Sequence, residues 1–598
     1  MSKTQNINNI IYLVKNLVEE ATLFVAQDKK VELSSKEKSN IKLLKLDFIP
    51  HNLKLEEEIA SNIAMVLVKS FKTDPKKIAN QIGEHLVKSS YIDSFKVAGA
   101  GFLNIKLSKQ CYVNGVQFLL KGGDEVLISQ VGKGEKVNLE YVSANPTGPL
   151  HIGHVRGAVY GKSLATLLKK LGFNVTEEYY INDGGSQIDT LLKSALLRYK
   201  QAANNLSNAD VKIPTSCYPG EYLIPVGKKI YQQYGKSLIA LSEKEACEKI
   251  HSITLSAMLS LIKDSLKKLG VQHDIFVSEK EMVDNNYVHD AINILRDKDL
   301  CYRGKLDKPK GISADGWIPH EQELFKSSMF GDSSDRPISK SDGSFSYFAP
   351  DIGYHYYKYK RGFNKMILIL GADHKGYSKR ISAAVSAVSD NKATVEVKLC
   401  ELVNFVEDGE KVKSSKRSGK FLTVEDVLKE LDINVLRFII LSRKNDTTLD
   451  FDLKMAKLQS KENPVFYTQY AYSRCSSLLR GYKEMFKKPF SVSNIQQNNN
   501  WDIIDNKNVA HVILLCNMYP SIIMQVAKNY EINTVVAYVL NLATQFHSLW
   551  NGGDGLEVRF LNKDNKSLTD ANMTIVVIVK DIIASCLNIL GVKAPESM

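Results

Sequence analysis

Two histidines and two lysines are the residues of this chain whose types and spacing could do chemistry together. His151 and His154 stand three apart within VNLEYVSANPTGPLHIGHVRGAVYGKSLATLLKKLG, residues 137–172. The segment opens as a strand and turns at Asn145-Pro146-Thr147-Gly148-Pro149. It closes as a helix with Ala158, Ala165 and Leu168 on one face and Gly172 as its stop. Both imidazoles therefore fall on the first turn of a helix that follows a strand. Unpaired backbone N–H groups and the helix dipole favour an anion there, and Gly153 lets a ligand approach the backbone closely. An isolated His-x-x-His is more often a capping or packing pair, and a metal site would need further ligands that no nearby Cys or His supplies. The Asn-Pro-Thr-Gly-Pro turn shifts the reading to phosphate.

The lysines lie about 260 residues further on, in GEKVKSSKRSGKFLTVEDVLKEL, residues 409–431. Lys413 and Lys416 sit among small and basic residues ahead of a helical pattern, where they could swing onto a triphosphate. Such a loop alone is usually solvated surface. Its company with a His-x-x-His helix start in one α/β stretch favours nucleotide chemistry.

The elements that must position these groups are legible as three texture changes. Residues 1–128 mix helical patterns (10–24, 56–71) with strand-like runs such as 95–107, predicting an α+β domain. Gly132 to Glu135 act as a hinge into an α/β stretch, 129–454, with strands at 137–142, 175–181 and 365–370 and an insertion at about 200–340. The run KMILIL reads as a parallel strand covered on both faces. Long helical periods follow at 453–483 (with Pro464 inside), 509–530, 533–549 and 571–590, predicting an all-α bundle over 455–598.

Composition bounds the partners. The chain has 598 residues, 44% of them hydrophobic and 24% charged, which excludes a disordered chain, a collagen and a coiled-coil rod. Its 79 Lys plus Arg against 66 Asp plus Glu leave +13, consistent with a polyanionic partner. Only 13 of the cations are Arg, a bias expected of an A-rich genome. The eight cysteines are scattered without metal spacing, which predicts no structural zinc and a reducing, cytoplasmic setting. The apolar stretch 573–590 carries Lys580 and Asp581 in its middle and reads as a core helix, so no membrane partner is expected.

The two motifs together resemble the paired signatures named HIGH and KMSKS of the class I aminoacyl-tRNA synthetases. Over essentially its whole length the chain resembles the bacterial-type arginyl-tRNA synthetases. VSANPTGPLHIGHVRGAVYG, EEYYINDGGSQI, YPGEYL, SDGSFSYFAPDIGY, GADHKGY, RFIILSR, FYTQYAYSR and LGVKAPESM carry that likeness. The lysine loop departs from the pattern, with Ser414 in place of Met and Arg417 after Lys416.

The resemblance implies a Rossmann-type α/β catalytic domain between an N-terminal α+β domain that touches tRNA and a C-terminal helical anticodon-binding domain. It implies a monomer that joins L-arginine to tRNA(Arg) through an adenylate made from ATP with Mg²⁺, adenylate formation waiting for bound tRNA. Gly148, His151, Gly153, His154, Lys413 and Lys416 are then expected at ATP, and Glu140, Asn145, Tyr347 and Asp351 at arginine. Tyr347 and Asp351, four residues apart, could share one side of a helical turn at the guanidinium. Tyr467, Tyr470, Tyr472, Arg474 and the terminal Met598 are candidates at the anticodon, with part of this aromatic set expected in the core.

Overall fold

The computed structural model describes residues 9–42, 44, 46–49, 56–208, 211–305, 321–340, 342–407, 410–411, 423–458, 460, 462–492, 501–550 and 557–598. The chain divides into two compact units. One comprises Gly132–Leu458 with Leu590–Val592; the other comprises Met1–Val131, Gln459–Ile589 and Lys593–Met598.

The first unit is built on five parallel strands: β1 (Lys136–Glu140), β2 (Asn174–Ile181), β3 (Ile275–Ser278), β4 (Lys365–Gly371) and β5 (Thr394–Cys400), in the order β5-β4-β1-β2-β3. The chain thus leaves β1 toward one edge and returns to fill the other side from β4. Open sheets of this order bind ligands outside the carboxyl ends of the two strands that flank such a reversal, here β1 and β4. Helix α1 (Ile152–Lys170) follows β1, with Ala158, Ala165 and Leu168 fully buried, and Gly172 takes φ +82° to turn the chain into β2. Helix α2 (Ala349–Lys360) precedes β4. Helix α3 (Tyr377–Ser389) follows it and packs on α2 around Ile352, Met366, Ile381 and Ala384. The strand expected to run to Val142 stops at Glu140, because Val142 and Ser143 adopt φ of +71° and +39°. A β-branched residue in that region is strained, and the strain lies at the end of the strand that delivers the histidines.

Polar anchors hold α1 against the sheet. The buried carboxylate of Glu177 on β2 takes Lys162 Nζ at 2.8 Å and Lys169 Nζ at 2.7 Å, both from α1, and the Tyr141 hydroxyl at 2.6 Å. Burial opposes ionisation of Glu177, yet these three donors outweigh it and hold its carboxyl below the ordinary range. Arg156, also on α1, donates to the carbonyls of Glu401 (3.0 Å), Lys444 (2.6 Å) and Thr447 (2.6 Å).

In the second unit, a four-stranded antiparallel sheet (Asp47–Phe48, Ile59–Ser61, Phe102–Leu107, Ile92–Ala98 in spatial order) packs on the helix Pro75–Leu86, which in turn packs against Ile10–Asp28, and that helix touches Lys109–Leu120. The helix expected over 56–71 is instead the strand Ile59–Ser61 followed by two single-turn helices, Ile63–Val66 and Val68–Phe71. The long C-terminal helices are α5 (Pro464–Phe486), α6 (Lys507–Asn529), α7 (Asn533–Ser548) and α8 (Lys566–Leu590), where α4 denotes Val424–Glu430 in the first unit. The helix expected from 453 begins at Pro464, with Asn463 as its cap. Proline is favoured at a first turn, where its missing N–H costs nothing. The N-terminal elements and the bundle form one body. Asn9 Nδ2 donates to the Asn517 carbonyl at 3.0 Å, and Asn517 Oδ1 accepts from the Ile10 N–H at 3.2 Å. Helices α6 and α8 are apolar enough by composition to cross a membrane, but 67% of each apolar window is buried inside the protein, as in core helices.

Candidate active site

The loop after β1 places the histidines as its spacing predicts. His151 caps α1: its Nδ1 accepts from the Gly153 N–H at 3.1 Å, while His154 Nδ1 accepts from the His151 N–H at 3.3 Å. The two rings lie 3.9 Å apart, both partly open to solvent at the helix N-terminus. A Cβ at position 153 would stand 2.8 Å from the His151 ring, so any larger residue there would push that ring out of its capping position. At Gly148 a Cβ would meet the Tyr222 ring at 2.9 Å, and the Tyr222 hydroxyl donates to the Thr147 carbonyl at 2.7 Å. The YPGEYL segment therefore braces the turn ahead of the histidines.

Lys413 and Lys416 lie outside the described residues. The chain that follows them is placed: His151 and Thr423 form an isolated antiparallel bridge, and the Val424 N–H donates to the Leu150 carbonyl at 3.2 Å. Thr423 then opens α4 with a reciprocal cap to Asp426. Backbone pairing thus brings the end of the lysine segment to the first turn of α1, across more than 260 residues of sequence.

Beside the histidines, a group of carboxylates gathers below the ends of β1, β2 and β3. Glu140 and Glu178 are register partners on adjacent strands, both buried. The last turns of α2 neutralise them. Lys358 Nζ lies 2.6 Å from Glu140 Oε2, and Arg361 pairs with Glu178, which also accepts from Tyr354 (2.6 Å) and Asn138 (2.8 Å). Glu140 additionally accepts from the Ser143 hydroxyl at 3.0 Å.

Asp351, on the first turn of α2, differs. Among the described residues it has no ion-pair partner; the Tyr377 hydroxyl donates to it. Burial, reinforced by the negative charges of Glu279 and Glu140, pushes its carboxyl up to about 8, against the weaker pull of Arg380 and Lys358. Glu279 follows β3 and is likewise raised, by burial first and then by Asp183, with a hydrogen bond from Tyr180 opposing. Two neighbouring carboxyls whose ionisation burial disfavours form a site that a fixed organic cation would stabilise.

The remaining predicted residues are placed less tightly. Asn145 is exposed and donates to Gln187 Oε1 at 2.8 Å. Tyr347 does not share a face with Asp351, because the helix begins only at Ala349. It is 92% exposed, with Lys340 Nζ 5.6 Å from its ring centre. Tyr377, in the GADHKGY segment, occupies the position beside Asp351 that spacing assigned to Tyr347. Glu279 and Tyr377 were missed by sequence reasoning: each reaches Asp351 from a different strand end, and linear spacing carries no signal for that.

On the bundle, Tyr467 and Tyr470 flank His547, at ring distances of 4.4 and 5.3 Å. Arg474 stacks 4.2 Å over Trp550 and 5.2 Å from Tyr470, which is 46% exposed. Tyr472 turns inward, its hydroxyl 3.0 Å from Glu596, and belongs to the docking of the chain end. Met598 is exposed.

Residues 116–459, more than half of the chain, match the family model described as tRNA synthetases class I (R), catalytic domain. The chain belongs to the arginyl-tRNA synthetases. Residues 15–107 match the arginyl tRNA synthetase N terminal domain, and residues 468–598 match the DALR anticodon binding domain. An arginine–tRNA ligase of Orientia tsutsugamushi (strain Ikeda) is 43% identical over 543 residues, spanning 90% of this chain and 91% of that protein. One from Bartonella bacilliformis is 41% identical over 573 residues, spanning 95% and 97%. The solved arginyl-tRNA synthetase of Thermus thermophilus covers 98% of this chain and 100% of its own, with a TM-score of 0.69 at 17% identity, a likeness of fold. This synthetase is thus a class I arginine–tRNA ligase with ATP, L-arginine and tRNA(Arg) as its partners.

Proposed function

We propose that arginine binds with its guanidinium between Asp351 and Glu279 and that ATP binds against His151, Gly153 and His154, with Gly148 in the turn beside them. The observation that carries this reading is the neighbouring pair of carboxyls on α2 and after β3: Asp351, pushed up to about 8 by burial and by the charges of Glu279 and Glu140, and Glu279, itself raised by burial. A permanently charged, planar guanidinium with five N–H donors matches two carboxylates better than any other side chain does. Glu140, already paired with Lys358, and Asn145 serve the α-amino and carboxylate end.

The enzyme activates L-arginine with ATP and transfers it to the 3′-terminal adenosine of tRNA(Arg), releasing AMP and pyrophosphate. The arginine carboxylate attacks the α-phosphate in line, so the protein supplies position and charge and no nucleophile of its own. His151 and His154 hold phosphate oxygens, and Lys413 and Lys416 neutralise the charge that grows on pyrophosphate. Among the described residues no three His, Cys, Asp or Glu side chains are grouped to hold a metal. Mg²⁺ would accompany ATP on its phosphates. The functional division is 1–128 for tRNA contact, 129–454 for catalysis and 455–598 for the anticodon. The enzyme works as a monomer in the cytoplasm, away from membranes.

ATP–pyrophosphate exchange with arginine and tRNA(Arg) tests the site. Asp351→Asn and Glu279→Gln are expected to raise KM for arginine by about tenfold or more while KM for ATP stays within twofold, from the loss of charge-assisted hydrogen bonds. An unchanged arginine KM in both variants would refute the assignment.

A further inference from the structure

Asp183 lies at the end of β2, buried, in the segment INDGG. Its Oδ2 accepts from the Ser278 hydroxyl at 2.6 Å, and its Oδ1 accepts from the Lys280 N–H at 3.0 Å. These donors belong to the two residues that flank Glu279. The Ser278 oxygen also accepts from the Glu281 N–H at 3.0 Å, capping the short helix Glu279–Asp284. One carboxylate just past β2 thus holds the Ser278 hydroxyl on one side of Glu279 and the Lys280 backbone N–H on the other, and the cap behind it fixes the direction in which that residue leaves β3. Tyr180, three residues before Asp183 and on β2 itself, supplies the hydrogen bond to the Glu279 carboxyl and packs 4.4 Å from the Tyr354 ring.

We infer that Asp183 is a positioning residue for arginine selection, acting through the Ser278 hydroxyl and the Lys280 N–H to set Glu279 against Asp351. The inference rests on the arginine-site reading above. Asp183 touches no substrate. Its two acceptor oxygens have fixed partners, and a neutral amide keeps only one acceptor, so Asp183→Asn can hold the Ser278 oxygen only with the hydrogen bond reversed and without the carboxylate charge. One of the two charge-assisted anchors is then weakened, and the carboxyl of Glu279 shifts enough to weaken its contact with the guanidinium.

The experiment is a double-mutant cycle on the full-length enzyme, reading KM for arginine, KM for ATP and the melting temperature. Asp183→Asn and Ser278→Ala should each raise the arginine KM by about tenfold, leaving the ATP KM within about twofold. In the Glu279→Gln background Asp183→Asn should add less than about twofold, since a residue acting only through Glu279 has nothing left to position. Multiplicative effects in the cycle, or a lowered melting temperature with unchanged arginine KM in both Asp183→Asn and Ser278→Ala, would overturn the inference. If Glu279→Gln alone leaves the arginine KM unchanged, the arginine-site assignment fails first, which separates the two outcomes.

Discussion

Lys358 and Glu140 form an ion pair at 2.6 Å with their side chains 1% and 6% exposed. The pair joins α2 to the end of β1, the two elements that carry Asp351 and the histidine turn. Removing one member leaves a buried charge without compensation. Lys358→Met is expected to cost about 3–5 kcal/mol of stability, and pairing it with Glu140→Gln should recover part of that loss. Urea denaturation of the three variants measures both quantities.

Arginine affinity should depend on pH through Asp351. Its carboxyl is raised from 3.8 to about 8, so in the free enzyme at neutral pH it is mostly protonated, and a bound guanidinium must expel that proton. Affinity is expected to rise with pH up to about 8 and to fall by as much as about tenfold per unit below it. Without ligand the sign is opposite. The stability that Asp351 contributes by holding a proton is fullest below the unfolded value and is lost as pH rises through about 8. Calorimetric titrations with arginine from pH 6 to 9 in two buffers of different ionisation enthalpy would count the proton released. Asp351→Asn should abolish the slope.

His154→Ala should lower turnover in pyrophosphate exchange by about 100- to 1,000-fold, as for other preorganised donors to a transferring group, with the arginine KM little changed. Lys416→Ala should act in the same direction. Unchanged turnover in both would remove these groups from the adenylate step.

The Tyr470 and Arg474 pair on α5, with Trp550 and His547 beside it, presents a stacking face with a fixed cation. Tyr470→Ala should weaken tRNA(Arg) binding by about 1–3 kcal/mol, the range for one lost base stack. Arg474→Ala should also flatten the salt dependence of binding by a slope near one phosphate, about 0.7. Filter binding across a salt series checks both, and an in-vitro anticodon variant of the tRNA should be insensitive to either substitution if the contact is at the anticodon.

Much of the site was legible because it is local. The turn, the first helical turn and Gly153 are consecutive, so a strand-to-helix handover follows from periodicity and capping chemistry within twenty residues. The resemblance to the family extended that reading to substrate and partner, and matched segments along the whole chain carried it. Spacing misled where it assumed a helix already in progress. Tyr347 and Asp351 are four apart, yet the helix starts between them, so the pair splits and Tyr347 faces solvent. Pro464 was read inside a helix that it in fact begins.

The chain by itself determined which chemical groups are available and which turns present them: two imidazoles at a helix start, a basic segment downstream, and an excess of lysine suited to a polyanion. Tertiary structure decided which carboxylates are, among the described residues, paired with a basic side chain and which are not. Glu140, Glu178, Glu279 and Asp351 look alike as letters, but α2 delivers Lys358 and Arg361 to the first two only. Burial raises the carboxyls of the other two, and at Asp351 the charges of Glu279 and Glu140 add to it. That difference arises from strand register and helix docking across more than two hundred residues, and in the proposed site the cost of burying charge would turn it into a preference for a cationic substrate.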